Sequence, residues 1–387
     1  MKKILIANRG EIAIRIARTC NDLGIKTVGI FSEDDINSLH LSKMDESFMI
    51  DEKGASAYLN IKKIIAVAKQ EKVDGIHPGY GFLSENPAFA KAAKQARLKF
   101  IGPSEKSLTI FGDKSEAKKL ALKLDIPVVR GTQGKTSLKQ ASSFFKDLKK
   151  NSSIVIKAIA GGGGRGMRVV DLESDLKDAM SRASSEAKSA FDSSDLYVEE
   201  YLKNYRHVEI QVLGDGKGQA THMHERECST QRRHQKIIEI APAPGIKKEL
   251  KEKMFDASVA LIKSSKYEGL ATVEFLVNYA KEDYRFIECN ARLQVEHTVT
   301  EAVLGLDLVR AQIQIASGKT LKQLKLEQKN IPEPKGFAIQ SRVNMEVIDS
   351  EGEIKPSGGK FISFDLPSGP GVRSDSCGYS GYETNPA

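Results

Sequence analysis

Along positions 1–112, short apolar runs alternate with stretches in which apolar residues recur every three or four positions. Residues 3–7 form an apolar run that reads as a buried strand. Over 11–23, Ile12, Ile16 and Leu23 fall near helical spacing, and Gly24 supplies the stop. The same alternation predicts strands at 27–31, 74–77 and 99–101, and helices at 61–70 and 87–96, the last opened by Pro87. A βαβα rhythm of this kind predicts a parallel sheet covered by helices. Its first strand-to-helix turn is Asn8-Arg9-Gly10 and lacks the G-x-G-x-x-G of dinucleotide-binding turns.

The texture then changes. Helices are predicted at 114–124 and 137–149, and a strand at 154–158 runs through the glycine run 161–166 into a strand at 167–170, which reads as a hairpin. From 206 to 300 antiparallel strand signals dominate, beginning where Val208, Ile210 and Val212 alternate with His207, Glu209 and Gln211. A helix is expected at 307–316, ended by Ser317-Gly318; Ile331-Pro332-Glu333-Pro334 marks a corner, and β-rich segments with glycine turns follow.

Composition narrows the class. The 387 residues are 40% hydrophobic and 28% charged, which excludes a disordered or collagen-like chain. A net charge of +8 fits an anionic small molecule or nucleic acid equally well. The absence of tryptophan and an aromatic content of 6% argue against nucleic-acid stacking. Cys20, Cys228, Cys289 and Cys377 show no C-x-x-C spacing and fit a reduced, cytoplasmic chain. No apolar run approaches the ~18 residues of a membrane span, and the N-terminal one is too short for a signal peptide.

Four segments carry chemistry. Consecutive glycines let backbone N–H groups approach a phosphate, and Lys157 lies four residues before Gly161 at the end of an apolar strand. A surface hairpin with a snorkelling lysine is the bland alternative. Glu274 and Glu288 each interrupt an apolar strand; with the amide oxygen of Asn290 they make a hard ligand set for Mg²⁺ or Mn²⁺ on nucleotide phosphates, or else two structural ion pairs. After Glu288, polar residues occupy every second position (Asn290, Arg292, Gln294, Glu296), opposite Cys289, Ala291, Leu293 and Val295. One straight strand from 288 to 296 would extend ~26 Å, too far for one centre, so a bend is expected near Asn290. Arg226 to Lys236 crowds five cationic or potentially cationic groups into an anion-binding patch. Within and beside it, His222 and His224 read as a solvated strand face rather than a metal site, and Cys228 as a buried thiol rather than a nucleophile.

The ordered motifs resemble the biotin carboxylase component of biotin-dependent carboxylases, an ATP-grasp family. They are Ile6 to Ala13, His77 to Asn86, Gly161 to Met167, Gln231 to Lys236 with Ala241-Pro242-Ala243-Pro244-Gly245, and Arg292 to His297. The resemblance implies an α/β and α+β fold in three parts. These are an N-terminal Rossmann-like parallel sheet over 1–112, an ATP-grasp domain over 113–330 with a mobile lid at about 131–203, and an incomplete β-rich C-terminal domain over 331–387. It implies that Lys114, Lys157, Gly163 and Gly164 contact ATP phosphates, that Glu199, Glu200, Tyr201 and Leu202 hold the adenine edge, and that His207, Gln231 and His234 lie along the nucleotide. Glu274, Glu288 and Asn290 would hold two Mg²⁺ or Mn²⁺ ions; Lys236, Arg292, Gln294 and Val295 would surround bicarbonate, with Glu296 as its base. Arg342 would stabilise the biotin enolate and Tyr80 frame the biotin.

The implied activity is ATP- and bicarbonate-dependent carboxylation of carrier-bound biotin for an acyl-CoA or related carboxylase. The implied partners are a carboxyl carrier and a carboxyltransferase, in a homo-oligomer, without nucleic acid or membrane. Another ATP-grasp ligase, such as a carbamoyl-phosphate synthase-like enzyme, and a nucleotide-binding module without activity are the alternatives. The sequence departs from the family at Val343-Asn344-Met345-Glu346-Val347, at Ile240, where a glutamate is common, and in ending at Ala387, before the family's last strands and helices. Ser368 to Arg373 looks more like single-chain carboxylases.

Overall fold

The structure, a computed structural model, describes residues 1–387 except 133, 150–151, 160–166, 351 and 385–387. The first part is a parallel five-stranded sheet built from β1 (Lys3–Ile6), β2 (Lys26–Ser32), β3 (Glu46–Ile50), β4 (Gly75–His77) and β5 (Lys99–Phe100), in the order β3-β2-β1-β4-β5. The helix Gly10–Asp22 buries Ile12 and Ile16 of the predicted stripe, while Leu23 falls at its C-cap, half-buried, and Gly24 at φ +66° follows in a conformation that suits glycine. The expected strands and helices of this region lie within a residue or two of those observed. Strand β3 was not anticipated, because Glu46–Ile50 is a half-exposed edge without alternation.

Next come β6 (Ser153–Ala158), β7 (Arg168–Val170) and β8 (Leu196–Tyr201), an antiparallel sheet in the order β7-β6-β8. The hairpin reading of β6 and β7 is therefore right. Helices Leu138–Lys146 and Leu176–Phe191 cover this sheet. Ala141, Ile154, Ile156, Leu176, Ala183 and Val198 make a small core of its own.

The third unit is a six-stranded sheet of β9 (Arg206–Asp215), β10 (Ala220–Arg232), β11 (Gln235–Ala241), β12 (Glu268–Asn278), β13 (Asp283–Asn290) and β14 (Ala338–Ser341), ordered β13-β12-β9-β10-β11-β14. Helix Lys248–Ser264 seals one face with Leu250, Met254, Leu261 and Ile262. On β9, Val208, Ile210 and Val212 point into this core; Glu209 and Gln211, on the opposite face, are equally buried. That second face is the floor of the site. Beyond β14 the chain forms two short strand pairs, and Val343 and Ile362 are almost fully exposed. Among the described residues no helix is long and apolar enough to cross a membrane.

Candidate active site

The metal set expected from sequence lies on one edge of the six-stranded sheet. Glu274 on β12 and Glu288 on β13 are direct cross-strand partners, and Asn290 pairs with Thr272 two positions on. Glu274 is buried. Its Oε1 accepts from Lys236 Nζ at 2.8 Å, Asn290 Nδ2 at 2.8 Å and Gln294 Nε2 at 3.2 Å, and its Oε2 faces His207 Nε2 at 2.9 Å. Burial opposes ionisation, yet Lys236 and then His207 hold the carboxyl well below its usual range. Glu288, more open, meets Lys114 Nζ at 3.0 Å. Two carboxylates side by side with an amide, whose oxygen here accepts from Arg292 Nη2 at 3.3 Å, offer the hard oxygen donors that suit a divalent ion on a polyphosphate. The ligand atoms of His207, Glu209 and Glu274 also converge within 4.8 Å.

Lys236, on β11, joins this edge to the rest. Its ammonium bonds Glu209, Glu274 and, at 2.7 Å, Glu296 Oε1. Burial disfavours its charge, but the three glutamates raise its pKa well above the ordinary lysine value. The chain bends after Asn290, as expected, and Glu296 sits immediately before helix His297–Leu304. Its Oε2 accepts from Arg342 Nη2 at 3.0 Å. Burial alone would raise the Glu296 pKa; Lys236, Arg226 and Arg342 together bring it to about 2. Arg342 also bonds Glu239, whose own pKa burial pushes up.

Arg292 donates from Nε to Glu85 Oε2 at 2.8 Å, and Glu85 Oε1 accepts the Ala291 N–H at 3.0 Å. Glu85 belongs to the loop after β4, so the parallel sheet reaches into the site. That loop also carries Tyr80, whose hydroxyl bonds Glu11. Its turn requires Gly79: φ is +65°, and a Cβ there would lie 2.8 Å from Asn8 Nδ2, which holds the carbonyls of Pro78 and Tyr80.

The phosphate side is lysine-rich. Glu199, 2% exposed, bonds both Lys118 and, at 2.6 Å, Lys157, and Lys114, paired with Glu288, lies within electrostatic reach of both lysines. Burial and then the like charges of Lys114 and Lys118 push the Lys157 pKa down to about 7, against the pull of Glu288. A cavity of about 660 Å³ opens beside these lysines, walled by Tyr197, Gly131, Leu108 and Phe144. Glu199 thus faces the lysines with its side chain, Glu200 bonds the Arg130 carbonyl through its N–H, and Tyr201 is exposed. His207 Nδ1 contacts Gln231 Nε2 at 2.9 Å, whereas His234 is exposed on the β10–β11 turn, within electrostatic reach of Lys157. Gly163 and Gly164 lie outside the described residues.

The 290–296 alternation needs correcting. Ala291 and Leu293 are buried as expected, but so are Gln294 and Glu296, while Val295 is only partly so. The segment is a loop packed on both sides, not a half-exposed strand. The His222–His224 face is half-buried rather than solvated, His222 stacking on the buried Phe255 with centroids 3.9 Å apart; Cys228 is a buried thiol, as expected. Sequence reasoning missed Glu85, Lys118, Glu209 and Glu239, and it placed Arg226 in an anion-binding patch, whereas Arg226 is fully buried and bonded to protein groups. Cross-strand register or the loop after β4 brings in the carboxylates, whereas Lys118 follows Lys114 by four residues on helix Lys114–Lys123, a spacing that would have found it.

Residues 1–108 match the biotin carboxylase N-terminal domain family, and 113–324 match the ATP-binding domain of the carbamoyl-phosphate synthase L chain family. Pyruvate carboxylase of Bacillus subtilis is 47% identical over 382 residues, covering 97% of this chain but 33% of that protein. The chain thus spans about a third of the length of the pyruvate carboxylases it matches. Biotin carboxylase 1 of the same organism is 43% identical over 388 residues, covering 100% of this chain and 84% of that one. A Campylobacter jejuni biotin carboxylase solved with a β,γ-ATP ligand superposes at TM-score 0.93 with 40% identity over 99% of this chain and 84% of that one. The biotin carboxylase domain of the Hydrogenobacter thermophilus 2-oxoglutarate carboxylase, solved with MgADP and bicarbonate, gives TM-score 0.93 and 39% identity over 100% and 83%. On these matches and this fold, the chain belongs to the biotin carboxylase family.

Proposed function

We propose that the chain carboxylates biotin in an ATP- and bicarbonate-dependent reaction through carboxyphosphate. The observation that carries this is Lys236, whose single ammonium touches both Glu274, on the metal edge, and Glu296, the proposed base. Phosphoryl transfer and bicarbonate activation thereby share one water-poor pocket. Such transfer needs positioning and charge neutralisation more than covalent help. Glu274, Glu288 and Asn290 would hold Mg²⁺ or Mn²⁺, which supplies charge neutralisation on the nucleotide phosphates. Lys114 and Lys157 would turn from Glu288 and Glu199 to the phosphates, which Gly163 and Gly164 would also contact. Glu199, Glu200, Tyr201 and Leu202 would line the adenine edge, with His207, Gln231 and His234 along the nucleotide.

Lys236, Arg292, Gln294 and the Val295 backbone would bind bicarbonate, and Glu296 would take its proton. The low pKa keeps Glu296 ionised at neutral pH. Its basicity would rise as Lys236 and Arg342 turn towards bicarbonate and the biotin ureido oxygen. The bicarbonate oxygen then attacks the γ-phosphorus, the bond to ADP breaks, and carboxyphosphate decomposes to CO₂ and phosphate. Phosphate takes the ureido N–H proton, and the nitrogen attacks CO₂ while Arg342 stabilises the enolate beside Tyr80.

A carboxyl carrier and a carboxyltransferase would act as partners, in a homo-oligomer. Free thiols at Cys20, Cys228, Cys289 and Cys377 suit a cytoplasmic setting. The test is ADP release with and without bicarbonate and biotin. Turnover that requires bicarbonate and rises with biotin is expected, and Glu296→Ala should abolish it while leaving nucleotide binding intact. Bicarbonate-dependent turnover indifferent to biotin would point to another ATP-grasp ligase. Nucleotide binding without phosphate release would point to a non-catalytic module.

A further inference from the structure

Arg226, on β10, is fully buried, with no exposed side-chain surface. A guanidinium carries five N–H donors, and burying one unpaired is costly. Here all five are spoken for. Nε bonds Glu209 Oε1; Nη1 bonds Gln211 Oε1 at 2.8 Å and Thr300 Oγ1 at 2.9 Å; Nη2 bonds Thr272 Oγ1 at 3.2 Å and Gln294 Oε1 at 3.3 Å. The acceptors come from β9, β12, the loop after β13 and helix His297–Leu304, so one side chain ties four segments beneath the site.

Two of these acceptors face the pocket with their other ends. Glu209 gives Oε1 to Arg226 and Oε2 to Lys236. Gln294 gives its carbonyl oxygen to Arg226, which leaves its amide nitrogen aimed at Glu274 Oε1, 3.2 Å away. An amide can be turned end for end, and Arg226 decides which end looks into the cleft. We propose that Arg226 is a positioning residue that sets Lys236, through Glu209, and the Gln294 amide for the anion proposed to bind between them. This rests on the bicarbonate reading above. A lysine at 226 keeps the charge but cannot reach the planar fan of five acceptors.

The experiment compares wild type, Arg226→Lys and Thr300→Val, measuring nucleotide affinity, KM for ATP and for bicarbonate, and crystal structures of all three. For Arg226→Lys the expectation is a loss of at least ~10-fold in kcat/KM for bicarbonate, in the range found for residues that orient a site's direct ligands, with nucleotide affinity within about threefold. Its structure should show Gln294 turned and Lys236 displaced. Full bicarbonate efficiency, or Lys236 and Gln294 unmoved, overturns the proposal. If Arg226→Lys does not fold, Thr300→Val, which removes one acceptor at the far end of the fan, decides. A several-fold rise in bicarbonate KM alone supports the role, and no change or an equal rise for ATP overturns it. A wild type without bicarbonate-dependent turnover defeats the functional reading, and the variant structures then decide the positioning by themselves.

Discussion

Replacing Glu296 by glutamine should change the pH dependence of folding by an amount the site itself sets. The Glu296 pKa falls from an ordinary 4.5 to about 2, because Lys236, Arg226 and Arg342 overcome the effect of burial. A carboxyl whose folded pKa is depressed stabilises the fold above its unfolded pKa, and that contribution fades as pH falls through the folded value. At ~1.4 kcal/mol per unit, the shift corresponds to about 3 kcal/mol at neutral pH, of which about 1 kcal/mol is gone by about pH 3.5. Glutamine keeps the shape and cannot titrate, so it isolates this one group from every other acid in the chain. Urea unfolding of wild type and Glu296→Gln at pH 7 and about pH 3.5 gives the stability gap at each pH. The gap should move against wild type by about 1 kcal/mol on acidification. A gap that stays constant, or moves the other way, would refute the claim that the three cations favour ionised Glu296 in the folded state.

Two further outcomes follow from neighbouring contacts. Glu85→Gln removes the charge that holds Arg292 while keeping its shape. A partly exposed pair worth ~1 kcal/mol predicts a roughly fivefold rise in bicarbonate KM with ATP affinity unchanged, read by ADP release. Lys157, depressed to about 7 by burial and by Lys114 and Lys118, is largely neutral at about pH 8. Polyphosphate beside it should restore the charge, so nucleotide binding takes up a proton. Calorimetry in buffers of different ionisation enthalpy should show this uptake in wild type and not in Lys157→Met.

The sequence disclosed the parallel sheet well, because strands buried on both faces read as plain apolar runs and Gly24 and Pro87 punctuate the helices. It disclosed Glu274 and Glu288 because a carboxylate inside an apolar strand has few neutral explanations. Helices Leu176–Phe191, Lys248–Ser264 and His297–Leu304 were not singled out. Lys248–Ser264 does carry a stripe at Leu250, Met254, Ala257 and Leu261, but the strand-like texture on either side masked it. Glu209 and Gln211 read as the polar face of a strand, and burial of that face becomes evident only once Arg226 is placed opposite them. Glu85 lies 207 residues from Arg292, and no local pattern joins such a pair.

Arg342 hangs just past the end of β14, the outermost strand of its sheet, which is fastened to β11 by four residue pairs, from Ile238 with Ser341 to Ala241 with Ala338. Phe337 and Ile339 stand largely uncovered along that margin. A short, lightly covered strand is the first to peel when the chain beyond it is pulled, and peeling it would strip one of three cations from Glu296. The acidity of a buried carboxylate thus depends on an outer strand staying paired.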